Sequence, residues 1–191
     1  MAKDTRDIGL VTEVLHGLGI TVERITESMY PRSGKLPDLR CEFGDGGFFF
    51  VEVKSPFLAE AEGGGYAHST TMSKLSELLS KAAKQFKSVN TLHIVPNVLV
   101  WVSRNFQLNW TNLVEASKGQ IGNDNVIIRD LRQTDFVKRN RSAWFTVDIH
   151  IWLQVGEQGI YQAKLFRLQG IEGTAVNLIR LLEANIPSEL L

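Results

Sequence analysis

Three polar residues of one predicted β-hairpin have the types and the spacing needed for metal-assisted hydrolysis. Asp38 lies at the start of the first strand, and Glu52 and Lys54 lie two residues apart on the second. Two carboxylates on adjacent strands can hold one Mg²⁺ and leave positions open for a phosphate oxygen and a water. Lys54 lies on the same strand face as Glu52, because side chains alternate with a period of two. There its ammonium group can orient the attacking water or stabilise charge that develops on a phosphate.

The register of the hairpin decides whether the three side chains share a face. Strands are predicted over 36–43 and 48–53, separated by Gly44-Asp45-Gly46-Gly47. A three-residue loop over 45–47 sets position 38 opposite position 54 and places all three polar residues on one face, whereas a two-residue turn points Asp38 away from the others. The same loop gathers six apolar residues on the opposite face: Leu39, Cys41, Phe43, Phe49, Val51 and Val53. We therefore predict the three-residue loop.

The elements around the hairpin predict an α/β fold with a mixed central sheet flanked by helices. Apolar residues at helical spacing predict helices over 5–18 and 71–88. A short strand over 21–25 precedes the hairpin, and an almost wholly apolar strand over 92–102, bent or interrupted near Pro96, follows the second helix. The remaining pattern indicates a C-terminal strand pair and helix: strands over 144–153 and 161–168, and a helix over 174–184.

The composition is that of an ordinary globular protein and excludes disordered and fibrous classes. Of 191 residues, 43% are hydrophobic and 22% are charged. The 21 basic and 21 acidic residues cancel, so any binding of a polyanion must be local. Cys41 is the single cysteine, which excludes an internal disulfide and a cysteine-based zinc cage. With no signal peptide and no apolar run of about 20 residues, the sequence favours a cytoplasmic protein without a membrane span.

Basic residues are concentrated on the helix predicted over 71–88, which follows a glycine-rich surface loop predicted over 59–68. Four lysines lie opposite the apolar stripe of this helix: Lys74, Lys81, Lys84 and Lys87. They can contact the phosphates of a DNA backbone or serve solubility only. A second basic cluster has the same two interpretations: Arg129, Arg132, Lys138, Arg139 and Arg141.

Pro37-Asp38, followed on the next strand by Glu52-Val53-Lys54, resembles the signature of the PD-(D/E)XK nuclease superfamily. Type II restriction enzymes, archaeal Holliday-junction resolvases and RecB-type nucleases share this signature. The element order over about 5–102 is similar to the core of that superfamily, which leaves about 103–191 as a C-terminal elaboration of a single domain over 1–191. The resemblance implies a restriction-endonuclease-like core and a Mg²⁺-dependent nuclease acting on DNA, in which Mn²⁺ can substitute. It implies Asp38 and Glu52 as metal ligands and Lys54 as the catalytic lysine.

Two further candidates come with the resemblance. Members of the superfamily often add an acidic residue from the first helix, and Glu13 is the candidate here. RecB-type nucleases place Gln and Tyr four residues apart on the following helix. Here Gln85 is followed by Val89, so half of that pair is present, and Gln85 is a candidate contact to the site or to a phosphate.

Other interpretations of the hairpin stay open. Asp, Glu and Lys across a hairpin usually form a solvated face with an ion pair. Phe48 and Phe50 share the face with Glu52, however, and a carboxylate among phenylalanines is costly unless it is paired or bound to metal. A non-catalytic subunit of the same fold that binds nucleic acid or protein is the second alternative. Because the net charge is zero, a homodimer or larger complex is a further option, with the aromatic-rich strand over 144–153 as its candidate surface.

Overall fold

The computed structural model describes residues 2–31, 34–44, 46–57, 68–118, 120–123, 126–130, 141–167, 175–186 and 188–190. They form an α/β fold with a mixed sheet flanked by helices, which confirms the predicted class. Of the loop predicted over 59–68, residues 59–67 lie outside the described residues and His68 begins a helix; Arg132, Lys138 and Arg139 of the second basic cluster also lie outside the described residues.

The first half of the chain contains α1 (Ala2–Gly17), β1 (Thr21–Arg24), β2 (Leu39–Phe43), β3 (Gly47–Lys54), α2 (His68–Val89) and β4 (Asn97–Ser103). The second half contains α3 (Trp110–Lys118), β5 (Gln120–Asn123), β6 (Val126–Asp130), β7 (Ile149–Gly156), β8 (Gly159–Arg167), α4 (Val176–Glu183) and β9 (Ser188–Leu190). The sequence therefore predicted both long helices, the hairpin and the C-terminal strand pair, with small differences at their ends. Among the described residues, no helix is long and apolar enough to cross a membrane.

Seven strands form the main sheet, in the order β1-β2-β3-β4-β7-β8-β9, and β5 pairs with β6 in a separate sheet. The central strands β3, β4 and β7 run parallel, whereas β1, β2 and β3 are joined in antiparallel pairs. Parallel neighbours end at the same edge of a sheet. The carboxyl ends of β3 and β4 therefore lie side by side, and this edge carries the residues discussed below.

Each face of the sheet is covered by helices and has its own apolar core. On one face α1 and α4 pack against the hairpin through Leu15, Leu182, Cys41 and Val51. On the other face α2 and α3 pack through Leu79, Phe86 and Leu113 against Phe50 and Trp101. Cys41 is fully buried, as its position mid-strand predicts. Burial on both faces explains why β4 is apolar along its whole length.

The hairpin loop differs from the prediction by one position. Leu39 pairs with Val51 and Phe43 pairs with Gly47, so the loop is 44–46 and position 38 comes opposite position 52 instead of 54. Gly44 and Gly46 take φ values of +54° and +88°, which glycine adopts without a Cβ clash. The loop predicted over 45–47 was therefore wrong. The register moves by two residues, which keeps every side chain on its predicted face.

The strand predicted over 144–153 begins later and does not offer a dimerisation surface. Residues 141–144 are helical and β7 begins at Ile149, where it pairs with β4 on one side and β8 on the other. Its aromatic side chain, Trp152, is fully buried. The prediction of a dimerisation surface was wrong, because the aromatic pattern belongs here to a strand in the interior of the sheet. β4 likewise begins at Asn97 and not at 92, directly after Pro96.

Candidate active site

Asp38, Glu52 and Lys54 lie together in one cleft of about 320 Å³ between the hairpin and the helices on either side. β3 supplies Glu52 and Lys54, and Asp38 immediately precedes β2. The other described residues that line the cleft come from α1, from β3 and the residue after it, and from α2: Ile8, Val53, Ser55, Leu78, Lys81 and Gln85. The structure thus brings the three motif residues and Gln85 into one place.

A larger cavity of about 560 Å³ lies at the other end of β3, around the hairpin loop. Phe43, Phe48, Pro96 and Leu181 are among its lining residues. None of the described residues that line it is ionisable. The chemistry of the side chains therefore favours the smaller cleft as the candidate active site.

Asp38 is held against the backbone of β3. Its Oδ2 accepts a hydrogen bond of 2.9 Å from the N–H of Val53. Burial raises the pKa of Asp38, and this hydrogen bond, together with the positive charges of Lys54 and Arg24, partly offsets that rise. The bond explains how a residue just outside β2 stays next to Glu52.

Glu52 is the most buried ionisable group of the cleft, with 1% of its surface exposed. Its Oε1 accepts a hydrogen bond from the Nζ of Lys54, while its Oε2 is buried and has no hydrogen-bond partner among the described residues. Burial, and next the negative charge of Asp38, raise the pKa of Glu52 to about 8, although Lys54 and Gln85 act in the opposite direction. At neutral pH the metal-free carboxyl group therefore retains its proton for much of the time.

Lys54 is held in position from two sides. Besides its bond to Glu52, its Nζ donates a 3.0 Å hydrogen bond to Oε1 of Gln85. The Nε2 of Gln85 donates in turn to the carbonyl oxygen of Leu36 at 2.7 Å. Gln85 therefore ties the lysine on β3 to α2 and to the segment that leads into Asp38.

The acidic residue that α1 brings closest to this edge is Asp7, not Glu13. Glu13 is exposed and is not among the residues that line the cleft. Asp7 is 1% exposed, accepts a hydrogen bond from Oγ of Ser55 and pairs with Arg104. The sequence held a signal for this position, because Asp7 lies one helical turn before Val11 on the apolar stripe of α1.

The four lysines of α2 do not form a single row. At about 100° per residue, Lys74 and Lys81 lie within about 40° of Gln85, whereas Lys84 and Lys87 turn progressively away. Lys81 lines the cleft, while the Nζ of Lys87 donates to Oγ of Ser142 at 3.4 Å. Lys74 and Lys81 both pair with Glu77, which lowers the pKa of that exposed carboxyl group. Only two of the four lysines therefore lie on the side of the cleft.

Asp38 and Glu52 are the two groups of the cleft that fit a divalent cation. The described residues contain no group of three His, Cys, Asp or Glu side chains placed to hold a metal ion. Mg²⁺ keeps several waters and is often bound by only one or two carboxylates, so the pair suffices for it. The buried, unpartnered Oε2 of Glu52 is an oxygen that a cation would satisfy.

In comparisons with models of protein families, with curated proteins and with solved structures, nothing matches this chain. What the cleft does is therefore inferred from its own residues.

Proposed function

We propose that this protein is a Mg²⁺-dependent nuclease that hydrolyses phosphodiester bonds in DNA. The observation that carries the proposal is Glu52, a carboxylate buried next to a second carboxylate, Asp38, with one oxygen unpartnered in the part of the chain that the structure describes. A lysine bonded to its other oxygen completes the set of groups that phosphoryl transfer uses.

A purely structural ion pair accounts less well for this arrangement. Burying a carboxylate costs several kcal/mol, and a lysine repays that cost only when the remaining lone pairs are also satisfied. Lys54 contacts one oxygen of Glu52 and leaves the other without a partner among the described residues. A cation that binds Asp38 and Glu52 together would give that oxygen a partner and would stabilise both groups in their ionised form.

Four residues of the cleft have a definite part in the proposed reaction. Asp38 and Glu52 would hold Mg²⁺, which when bound supplies a Lewis acid for the phosphate and lowers the pKa of a water. Lys54 stabilises the charge that develops on the phosphate oxygens. Gln85 keeps the ammonium group of Lys54 in place, since it is hydrogen-bonded on its other side to Leu36.

The order of elements supports a restriction-endonuclease-like core. The segment α1-β1-β2-β3-α2-β4 repeats the helix, three strands, helix and strand of the PD-(D/E)XK superfamily. In this proposal the elements after β4 form an elaboration of that core.

The direct test is incubation of the protein with plasmid, linear duplex and single-stranded DNA in Mg²⁺, Mn²⁺ or EDTA. We expect cleavage in either metal and none in EDTA. Glu42→Gln is a matched control, because Glu42 lies on the same hairpin but is exposed and pairs with Arg40. Cleavage that survives in Glu52→Gln would identify a contaminant and refute the proposal. DNA binding without cleavage would favour the non-catalytic subunit instead.

Replacing Gln85 with Leu is expected to lower kcat about tenfold and to leave Mg²⁺ affinity nearly unchanged. Gln85 is not itself a candidate ligand, its 3.0 Å hydrogen bond is to Lys54, and a hydrogen bond to a charged group contributes about 1.5–3 kcal/mol. Steady-state kinetics and metal titration measure the two effects. Ser88→Ala is the control, since Ser88 lies one turn further on α2 and donates to Lys35 of the same preceding segment. Equal losses in both variants would indicate general loosening of α2.

The double variant Lys74→Gln/Lys81→Gln is expected to weaken DNA binding more than Lys84→Gln/Lys87→Gln does. The first pair lies on the side of the cleft, and each phosphate contact contributes about 0.9 to the slope of log K against log salt. We expect the first variant to reduce the slope by about one to two units. Binding curves at several salt concentrations give this slope, and slopes equal to that of wild type in both double variants would assign all four lysines to solubility.

A further inference from the structure

Two exposed phenylalanines and an arginine lie where β3 and β4 end. These strands are parallel, with Lys54 opposite Trp101, so they leave the sheet at the same edge. The carboxylate of Asp7 joins the two chain segments there, because it accepts a hydrogen bond from Ser55 and pairs with Arg104. Phe57 and Phe106 each lie two residues beyond these anchors. Ser55 also lines the cleft, so the segment that carries Phe57 leaves the sheet at the cleft, and Asp7 joins the segment that carries Phe106 to it.

The turn that carries Phe106 is held rigidly from inside the protein. The buried hydroxyl of Ser103 donates to the carbonyl oxygen of Leu108 at 2.7 Å, and the buried amide of Gln154 donates to that of Asn105 at 2.9 Å. Phe106 nevertheless remains 77% exposed. A ring carried by a backbone that is already ordered loses less conformational freedom on binding a ligand than a ring on a flexible loop. Buried polar groups thus hold an apolar ring in solvent.

The other two residues complement this ring. Phe57 is 65% exposed and follows Pro56, which is buried. The side chain of Arg104 is 35% exposed and is oriented by the buried carboxylate of Asp7. A guanidinium group has five N–H donors, so the pair with Asp7 leaves donors for a phosphate. Single exposed apolar residues are common on proteins, but here two exposed aromatic rings lie on the two chain segments that Asp7 joins, one of which also carries an oriented cation.

Aromatic rings beside a cationic group are the means by which proteins hold unpaired nucleotides, because each base can stack on a ring. In an intact duplex the base faces are covered by neighbouring base pairs. The chain has no net charge, and Lys74 and Lys81 share Glu77, so attraction for a phosphate backbone is modest here. Stacking of bases on the two phenylalanine rings would supply binding affinity that the charged residues do not.

We propose that Phe57, Arg104 and Phe106 bind unpaired nucleotides next to the cleft, so that the preferred substrate is a nucleic acid with a single-stranded segment. This inference rests on the nuclease function proposed above. It names the substrate class of that site: a single strand, or a duplex with an unpaired end.

The test is fluorescence anisotropy with a labelled single strand and with the same strand annealed to its complement, in EDTA to prevent hydrolysis. The proposed surface lies outside the metal pair, so its contribution does not need the metal. Phe57→Ala and Phe106→Ala are each expected to weaken binding of the single strand about 5- to 100-fold and to change duplex binding less than about twofold. Cleavage of a duplex with an overhang should exceed that of a blunt duplex in the wild type.

Phe145→Ala is the matched control. Phe145 is 61% exposed and has the guanidinium group of Arg141 at 5.8 Å from its ring centroid, but it precedes β7 at the opposite end of the sheet. Two further variants at Phe106 separate stacking from general apolar contact. They also keep the test valid if an alanine variant fails to fold. Phe106→Trp should retain binding of the single strand, whereas Phe106→Leu should weaken it as Ala does.

Each outcome separates this inference from the function on which it rests. If Mg²⁺-dependent cleavage occurs but the Phe57 and Phe106 variants bind the single strand like wild type, the stacking surface is refuted and the nuclease function stands. Weakening in Phe145→Ala equal to that in Phe106→Ala would also refute it. If no nucleic acid is bound or cleaved, both proposals fail.

Discussion

Asp38→Asn and Glu52→Gln are expected to reduce Mg²⁺-dependent cleavage to background, whereas Lys54→Ala should lower it about 100-fold or more with metal binding intact. Each of the first two variants keeps the shape of the side chain but removes a charge from the cation site, so higher metal concentration should restore part of the activity. Lys54 is not a ligand, and a nearby positive charge disfavours a cation, so metal affinity should persist or increase in Lys54→Ala. The loss of rate in that variant is the loss of an electrostatic stabiliser.

Isothermal titration with Mg²⁺ or Mn²⁺, alongside the cleavage assay, separates these roles. Circular dichroism checks that all three variants fold, and we expect that they do. If Lys54→Ala cleaves as fast as wild type while Asp38→Asn simply unfolds, the hairpin is a structural ion-pair surface and the nuclease proposal is wrong.

The second large effect concerns pH and stability without metal. Burial raises the pKa of Glu52 from its ordinary value of 4.5 to about 8 in the folded protein. Between these values the folded state binds more protons than the unfolded state, so the contribution of Glu52 to the free energy of unfolding decreases as pH rises from 4.5 to about 8. The decrease amounts to a few kcal/mol, because each pKa unit corresponds to about 1.4 kcal/mol. Glu52→Gln cannot ionise and should therefore be more stable than wild type at the upper end of this range.

Urea unfolding in EDTA at several pH values measures this effect. The quantity to follow is the difference between wild type and Glu52→Gln, since all other ionisable groups are common to both proteins. A difference that does not change with pH would show that Glu52 is ionised at neutral pH without a metal. Mg²⁺ binds the deprotonated carboxylates, so its affinity for wild type should also rise with pH, by up to about tenfold per unit below a pH of about 8.

Local sequence patterns predicted the elements of the site and the faces of its strands. The helical apolar stripe of α2 and the alternation along β3 are properties of consecutive residues, so they can be recognised without knowing the fold. The shared face of Asp38, Glu52 and Lys54 followed from that alternation. It was also insensitive to the loop error, because a register change of two residues leaves each side chain on the same face.

Contacts between distant segments could not be predicted from such local patterns. Asp7 meets Arg104 across 97 positions, and Gln85 reaches Leu36 across 49. Both contacts depend on how the helices pack on the sheet. The periodicity of the sequence predicts only which face of a helix is buried, not which residues that face contacts. The same limit explains the wrong prediction of a surface over 144–153. Aromatic residues are typical both of interfaces and of the interior, so the pattern does not distinguish the two. Only the pairing of β7 with β4 and β8 decides that Trp152 is interior.

The electrostatic state of the cleft also depends on tertiary structure. Residue types alone indicate two carboxylates and a lysine, which on an exposed hairpin would be ordinary charged groups. Packing of α2 over β3 removes Glu52 from water and leaves one of its oxygens without a partner among the described residues. Desolvation is set by every element around a group, and here those elements are separated by long stretches of chain. For this reason the shared face of Asp38, Glu52 and Lys54 could be predicted from sequence, whereas their protonation and their partners could not.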